Sequence, residues 1–143
     1  MLFRSCRGAR ALTQVTVAID CMGGDHGTHV TVPAVLNIMQ RDQSLSALLV
    51  GRQDPLEQEL AGAAKSLRDR TKIIHASEVV AMDEAPASAL RSKKDSSMRV
   101  AANLVEEGAA AACVSAGNTG ALDRKSTRLN SSHPSRSRMP SSA

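Results

Sequence analysis

Aromatic residues are almost missing from this 143-residue chain, which has no tryptophan, no tyrosine and a single phenylalanine, Phe3. A core without rings must be filled by aliphatic side chains and alanine, which bury less area per residue. Cysteine is scarce as well. Cys6, Cys21 and Cys113 are odd in number and form no CxxC pair, so neither a disulfide framework nor a zinc site is indicated. A reducing cytoplasm is the expected setting. No stretch approaches the roughly 18 consecutive apolar residues of a membrane span. The histidines lack metal-ligand spacing, and His29 and His75 read as structural. At this length the chain forms one domain at most.

The formal charge of +4 would suggest nucleic acid or an acidic membrane as a partner. Its position removes that suggestion. Residues 1–122 carry thirteen Lys/Arg and thirteen Asp/Glu, and the excess lies in "DRKSTRLNSSHPSRSRMPSSA", with five basic residues against Asp123 alone. Asp123–His133 and Ser137–Ala143 match, in frame, the translation of a common sequencing-library adapter. Residues 123–143 are therefore expected to be translated adapter, disordered, and are set apart from the fold. The case for nucleic-acid binding goes with them. At the other end, "MLFRSCRGARALTQ" has three arginines and no acid but lacks the apolar centre of a secretory signal. A mis-assigned start upstream of Val15 is the expectation for residues 1–14.

Between them, residues 15–122 alternate two kinds of segment. "VTVAID" (15–20), "SALLVG" (46–51), "TKIIHA" (71–76) and "AACVSA" (111–116) are short apolar runs ended by Gly, Asp or Ser. They are apolar on both faces, as strands of a helix-covered parallel sheet must be. "VPAVLNIMQRD" with Pro33 at its start, "DPLEQELAGAAKSLRD" with Asp54 as cap and Pro55 first, and "SMRVAANLVEEG" ending at Gly108 read as helices. The order β-α-β-α-β-α-β predicts an α/β fold with a parallel sheet and right-handed crossovers.

Ligands of open parallel sheets bind beyond the carboxyl ends of the strands, where three segments stand out. The first, "DCMGGDHG", has Gly23 and Gly24 for close backbone approach, but its GGxxG spacing is not the dinucleotide fingerprint GxGxxG. Its Asp20 and Asp25 are open to several roles: orienting a substrate, holding a cation, or shaping the loop as Asx turns. His26 is a candidate substrate contact. Cys21 has no evident base and reads as inert. In the second segment, "RSKKDSSMR", Asp95 or Ser96 can cap the following helix. Lys93, Lys94, Ser96 and Ser97 then gather at its positive end, either as an anion site or as a capped helix with a solvated lysine pair. The third, "SAGNTGAL", carries Asn118 and Thr119 on a strand-to-helix turn that can present polar groups to a ligand.

With these loops in order, the chain closely resembles the bacterial phosphate acyltransferases of phospholipid synthesis. "VTVAIDCMGGDHG", "IIHASEVVAMDEAP", "ALRSKKDSSMRVA" and "CVSAGNTGAL" carry the likeness across essentially all of residues 15–122. It departs at Cys21, where the family usually has alanine, and in length, since the family's chains are considerably longer. The resemblance implies acyl transfer from acyl carrier protein to inorganic phosphate, yielding acyl phosphate. It also implies a Rossmann-like, phosphotransacetylase-like fold, a homodimer, no metal or other cofactor, and a cytoplasmic protein peripherally attached to the membrane. This stretch would be an N-terminal fragment, inactive alone. Lys93, Lys94, Ser96, Ser97, Gly23, Gly24 and His26 would then surround phosphate, with Thr119 beside them. Asp20 and Asp25 would position donors or accept the phosphate proton, and Asn118 and Thr119 would face the thioester oxyanion. Two rivals compete with this picture: a nucleotide-binding enzyme on a similar fold, and a non-catalytic fragment with a basic tail.

Overall fold

Four parallel strands form one sheet in the computed structural model, which describes residues 14–80 and 92–117. In chain order the elements are β1 (Val15–Asp20), α1 (Thr28–Arg41), β2 (Leu45–Gly51), α2 (Gln53–Ala61) and α3 (Lys65–Arg68). β3 (Thr71–His75), α4 (Ser97–Glu106) and β4 (Ala112–Ser115) follow. The strands lie in the order β3-β2-β1-β4. β1 is central, pairing with β2 from Val15↔Leu45 to Asp20↔Val50 and with β4 from Val17↔Ala112 to Asp20↔Ser115. A parallel sheet with helices on both faces is the α/β arrangement expected from the alternating segments, and it agrees with the Rossmann-like fold that the resemblance implies.

Strand side chains alternate between two layers. Val17, Ile19, Ala47, Leu49 and Ile73 pack against Val32, Val35 and Met39 of α1, Leu56 and Leu60 of α2, and Leu67 of α3. Ala18, Leu48, Val50, Ile74 and Ala76 face Ala101, Leu104 and Val105 on α4. Burial on both sides is why the last five residues of "LSALLVG" are all inaccessible. Met39, Leu49 and Leu56 are fully buried, and each contributes roughly 1.5–3 kcal/mol through removal from water. At the edge, Val114 of β4 is 56% exposed.

Three helix boundaries differ from the sequence expectation. α1 begins at Thr28 rather than at Pro33, which lies inside it. Gly27, at φ +57°, turns the chain into the helix, and its carbonyl accepts both the amide and the hydroxyl of Thr31. Pro33 withdraws one amide from the helix ladder, and it sits on the exposed face where water can meet the freed carbonyl. The long helix read over 54–69 is broken at Gly62 into α2 and α3. The surrounding "AGAA" has too little side chain to offset the cost of a helical glycine. Asp54 does not cap: Arg52 precedes the helix, and Asp54 lies in its first turn, where its charge favours the positive end.

Arg70 closes the amino end of the sheet. Its guanidinium donates to the carbonyls of Met39 at 2.9 Å, Leu45 at 2.8 Å, Asp42 at 3.2 Å, Gln43 at 3.3 Å and Ser66 at 3.3 Å. It thereby holds the negative carboxyl end of α1 and the loop into β2 with one side chain. Arg70→Ala is expected to lower stability by about 2–3 kcal/mol, with Arg70→Lys recovering little because an ammonium cannot fork. A urea midpoint unchanged in Arg70→Ala would contradict this role.

Candidate functional site

β1 is where the strand order reverses, since β2 lies on one side of it and β4 on the other. Such a switch point leaves a crevice outside the carboxyl ends of the two diverging strands. Here those ends are Asp20 and Ser115, the last paired residues of the β1–β4 ladder.

Asp20 is 2% exposed, yet its carboxylate is fully engaged. Oδ1 accepts the backbone N–H groups of Met22 and Gly23, both at 3.1 Å. Oδ2 accepts the Ser115 hydroxyl at 2.7 Å, and Ser115 Oγ accepts the Gly117 amide at 3.1 Å. Asp20 thus folds the glycine loop around itself as an Asx turn and ties it to the turn after β4. The glycines make this close approach possible. A Cβ at Gly23 would lie 2.6 Å from Asp20 Oδ2 and 2.8 Å from the Gly117 nitrogen. These amides point at a carboxylate of the protein itself, which explains how an aspartate belongs in a glycine-rich turn.

The start of α4 reaches the same place. Met98 is buried, and a Cβ at Gly117 would lie 3.0 Å from its Cε and 3.3 Å from Gly23 Cα. Ser96 is the N-cap, its hydroxyl accepting the Arg99 amide at 3.4 Å. Ser97 donates its amide to the Glu78 carbonyl at 3.0 Å. Both serines are 1% exposed, so they form the base of the helix start rather than its surface. Asp95 instead accepts the hydroxyl and amide of Ser77 at 2.5 and 2.9 Å. These hydrogen bonds, the hydroxyl's first, hold its carboxyl below the usual carboxylate range. Lys93 is half-buried and donates from Nζ to the Val79 carbonyl at 2.7 Å. Lys94 is exposed.

In the first loop Asp25 and His26 are exposed, and Gly24 (φ +82°) lies against Ala116. The structure therefore brings together the Gly23–Gly24 turn, the start of α4 at Ser96–Met98 and the Ser115–Gly117 turn. Asn118 and Thr119 lie outside the described residues, as do residues 1–13 and the 123–143 tail. Sequence reasoning passed over Ser115. Its signal was a hydroxyl residue ending an apolar strand, as Asp20 ends another. His29 pairs with Glu59, linking α1 to α2, away from this crevice.

Cys21 is no nucleophile in this setting. Burial foremost, with the neighbouring Asp20 carboxylate adding to it, pushes its thiol up to about 12. At pH 8 only about one molecule in ten thousand carries the thiolate. Cys21 is expected to resist a maleimide reagent in the folded chain and to react on unfolding, as mass spectrometry would show. Labelling at the rate of a free thiol would contradict the burial.

Among the described residues no three His, Cys, Asp or Glu side chains gather as a metal ion would require. Nor is any helix among them long and apolar enough to cross a membrane. Two grooves, one lined by Thr16, Ser46, Arg70 and Lys72 and another by Gln40, Gln43, Ser66 and Arg70, open at the amino ends of the strands. They are remote from the crevice.

The family profile described as "Fatty acid synthesis protein" matches residues 15–135 of this chain. Among curated proteins, the phosphate acyltransferase of Legionella pneumophila (strain Corby) is 53% identical over 111 residues, covering 78% of this chain and 32% of the relative. That of Coxiella burnetii (strain Dugway 5J108-111) is 57% identical over 108 residues, covering 75% and 32%. A third, from Shewanella sp. (strain ANA-3), is 51% identical over 111 residues, covering 78% and 32%. The chain spans about a third of the length of these relatives. With a profile match over most of its residues and relatives of one name at such identity, the chain belongs to the fatty acid synthesis protein family, whose matched curated members are phosphate acyltransferases.

Proposed function

We propose that these residues are the first part of an acyltransferase that moves a fatty acyl group from the thioester of acyl carrier protein to inorganic phosphate. The product is acyl phosphate, for use in phospholipid synthesis. The observation that carries this reading is the more than 50% identity to proteins named phosphate acyltransferase. In the reaction a phosphate oxygen attacks the thioester carbonyl carbon. The C–O bond forms, the C–S bond breaks, and the carrier thiol leaves.

The crevice at the carboxyl ends of β1 and β4 is the place for that chemistry. Lys93 and Lys94 bring positive charge to it from just before α4, whose own positive end is shaped by Ser96 and Ser97. Gly23 and Gly24 give it a wall of bare backbone. Asp20 positions that wall, while the exposed Asp25 and His26 face incoming substrate, with Asp25 taking the proton that dihydrogen phosphate loses. Asn118 and Thr119 supply the oxyanion donors. By the same family likeness the whole protein works as a cytoplasmic homodimer attached peripherally to the membrane.

The lysine assignment has a direct test in the Legionella pneumophila enzyme with its aligned segment replaced by that of this chain. Lys93→Ala combined with Lys94→Ala is expected to raise the phosphate KM about tenfold or more, since each charged contact contributes about 1.5–3 kcal/mol. An unchanged phosphate KM would remove both lysines from the site.

A further inference from the structure

The β1–β4 ladder ends at the pair Asp20↔Ser115, and past it no backbone hydrogen bond among the described residues joins the two turns. A side-chain relay does so instead. It runs from the Gly117 amide to Ser115 Oγ at 3.1 Å, from the Ser115 hydroxyl to Asp20 Oδ2 at 2.7 Å, and from the Met22 and Gly23 amides to Asp20 Oδ1 at 3.1 Å each. Asp20 is all but inaccessible and Gly23 and Gly117 are buried, so the groups that Ser115 serves are shielded from water, while Ser115 itself is half-buried. The two backbones are in contact, since a Cβ at Gly23 would fall 2.8 Å from the Gly117 nitrogen. Ser115 is the one residue in the relay that both donates to one turn and accepts from the other.

The geometry points to Ser115 as a positioning residue for the crevice. Through Asp20 it sets the separation of the glycine turn and the β4 turn, and it does so without touching substrate. This inference rests on the acyl-transfer reading above. Removing the hydroxyl leaves Oδ2 without its donor and the Gly117 amide without its acceptor. The turns then settle at a different spacing, and a displacement of about 1 Å in a site of this kind can cost on the order of a hundredfold in rate.

The test uses the same full-length hybrid enzyme, with Ser115→Ala and Ser115→Thr. In Ser115→Ala, kcat is expected to fall about 10- to 100-fold while the phosphate KM stays within about threefold. Ser115→Thr, which keeps the hydroxyl, is expected to recover most of the loss. Amide exchange read on Gly117 is expected to speed up at least about tenfold in Ser115→Ala and to stay slow in Ser115→Thr. An unaltered kcat in Ser115→Ala overturns the inference. So does an equal loss in both variants, since the hydroxyl would then not be the operative group. Should the unmutated hybrid form no acyl phosphate, the transfer reading fails, and the exchange data alone decide. A Gly117 amide exchanging as fast in the unmutated protein as in Ser115→Ala rejects the relay, and protection lost only in Ser115→Ala upholds it.

Discussion

Asp20→Ala is expected to lower the stability of the folded chain by roughly 3–5 kcal/mol, the largest loss of any single replacement at the crevice. Three donors, the amides of Met22 and Gly23 and the Ser115 hydroxyl, lose their acceptor together. Each buried orphan donor costs about 1–3 kcal/mol, and relaxation of the turn keeps the total below the simple sum. Asp20→Asn separates charge from geometry. Its amide oxygen can still accept Met22 and Gly23, but its NH2 faces Ser115. The Ser115 hydroxyl must then turn away and leave its proton without an acceptor. An intermediate loss of about 1–2 kcal/mol follows. Urea denaturation of the three proteins gives the ranking directly. Asp20→Ala unfolding at the same urea concentration as the parent would mean that the carboxylate does not organise the turn.

Gly23→Ala is expected to cost about 2–3 kcal/mol, by overpacking rather than by loss of a partner. The added methyl meets Asp20 Oδ2 at 2.6 Å and Gly117 backbone at 2.8 and 3.0 Å. The carboxylate is pinned by its hydrogen bonds and the backbone cannot rotate away, so one turn must move. In the full-length hybrid that movement should also reduce turnover, since it separates the same two loops that flank the crevice. Gly62→Ala is the comparison. A Cβ there meets nothing within 4 Å, and the residue sits at the end of α2 with φ −83°. If Gly23→Ala were as mild as Gly62→Ala, the close approach of the turns would be refuted.

Much of the fold could be read from the sequence because its signals are local. The short apolar runs "VTVAID" and "TKIIHA" are observed as β1 and β3 within one residue of their expected ends, although Lys72 and His75 of β3 are exposed. The start of α1 differs from its sequence signal because Pro33 is a strong helix-start residue, while the observed start depends on the φ of Gly27 and on Thr31 bonding back to it. The break between α2 and α3 is hidden in the sequence because Leu56, Leu60 and Leu67 also fit one continuous helical face.

The site was legible in part. Glycines, aspartates and lysines at strand ends mark the three loops, and of the two caps the sequence offers, Asp95 or Ser96, the structure uses Ser96. What the sequence could not disclose is which partner each group takes. Asp20 and Ser115 are 95 positions apart and meet only because β4 crosses back to the far side of β1. Arg70 likewise reaches Met39 across 31 positions. Such contacts belong to topology, and no local spacing announces them.

The central claim, that this sequence supports acyl transfer to phosphate, is tested most directly by one assay on the full-length hybrid. It is mixed with acyl-loaded carrier protein and phosphate, and acyl phosphate is trapped with hydroxylamine as the hydroxamate. Hydroxylamine also cleaves the thioester itself. The expected result is therefore hydroxamate formed with enzyme and phosphate in clear excess of that formed without phosphate, in step with the added release of carrier thiol. A folded hybrid that releases no more thiol with phosphate than without it, while the unmodified Legionella pneumophila enzyme does so under the same conditions, would contradict it.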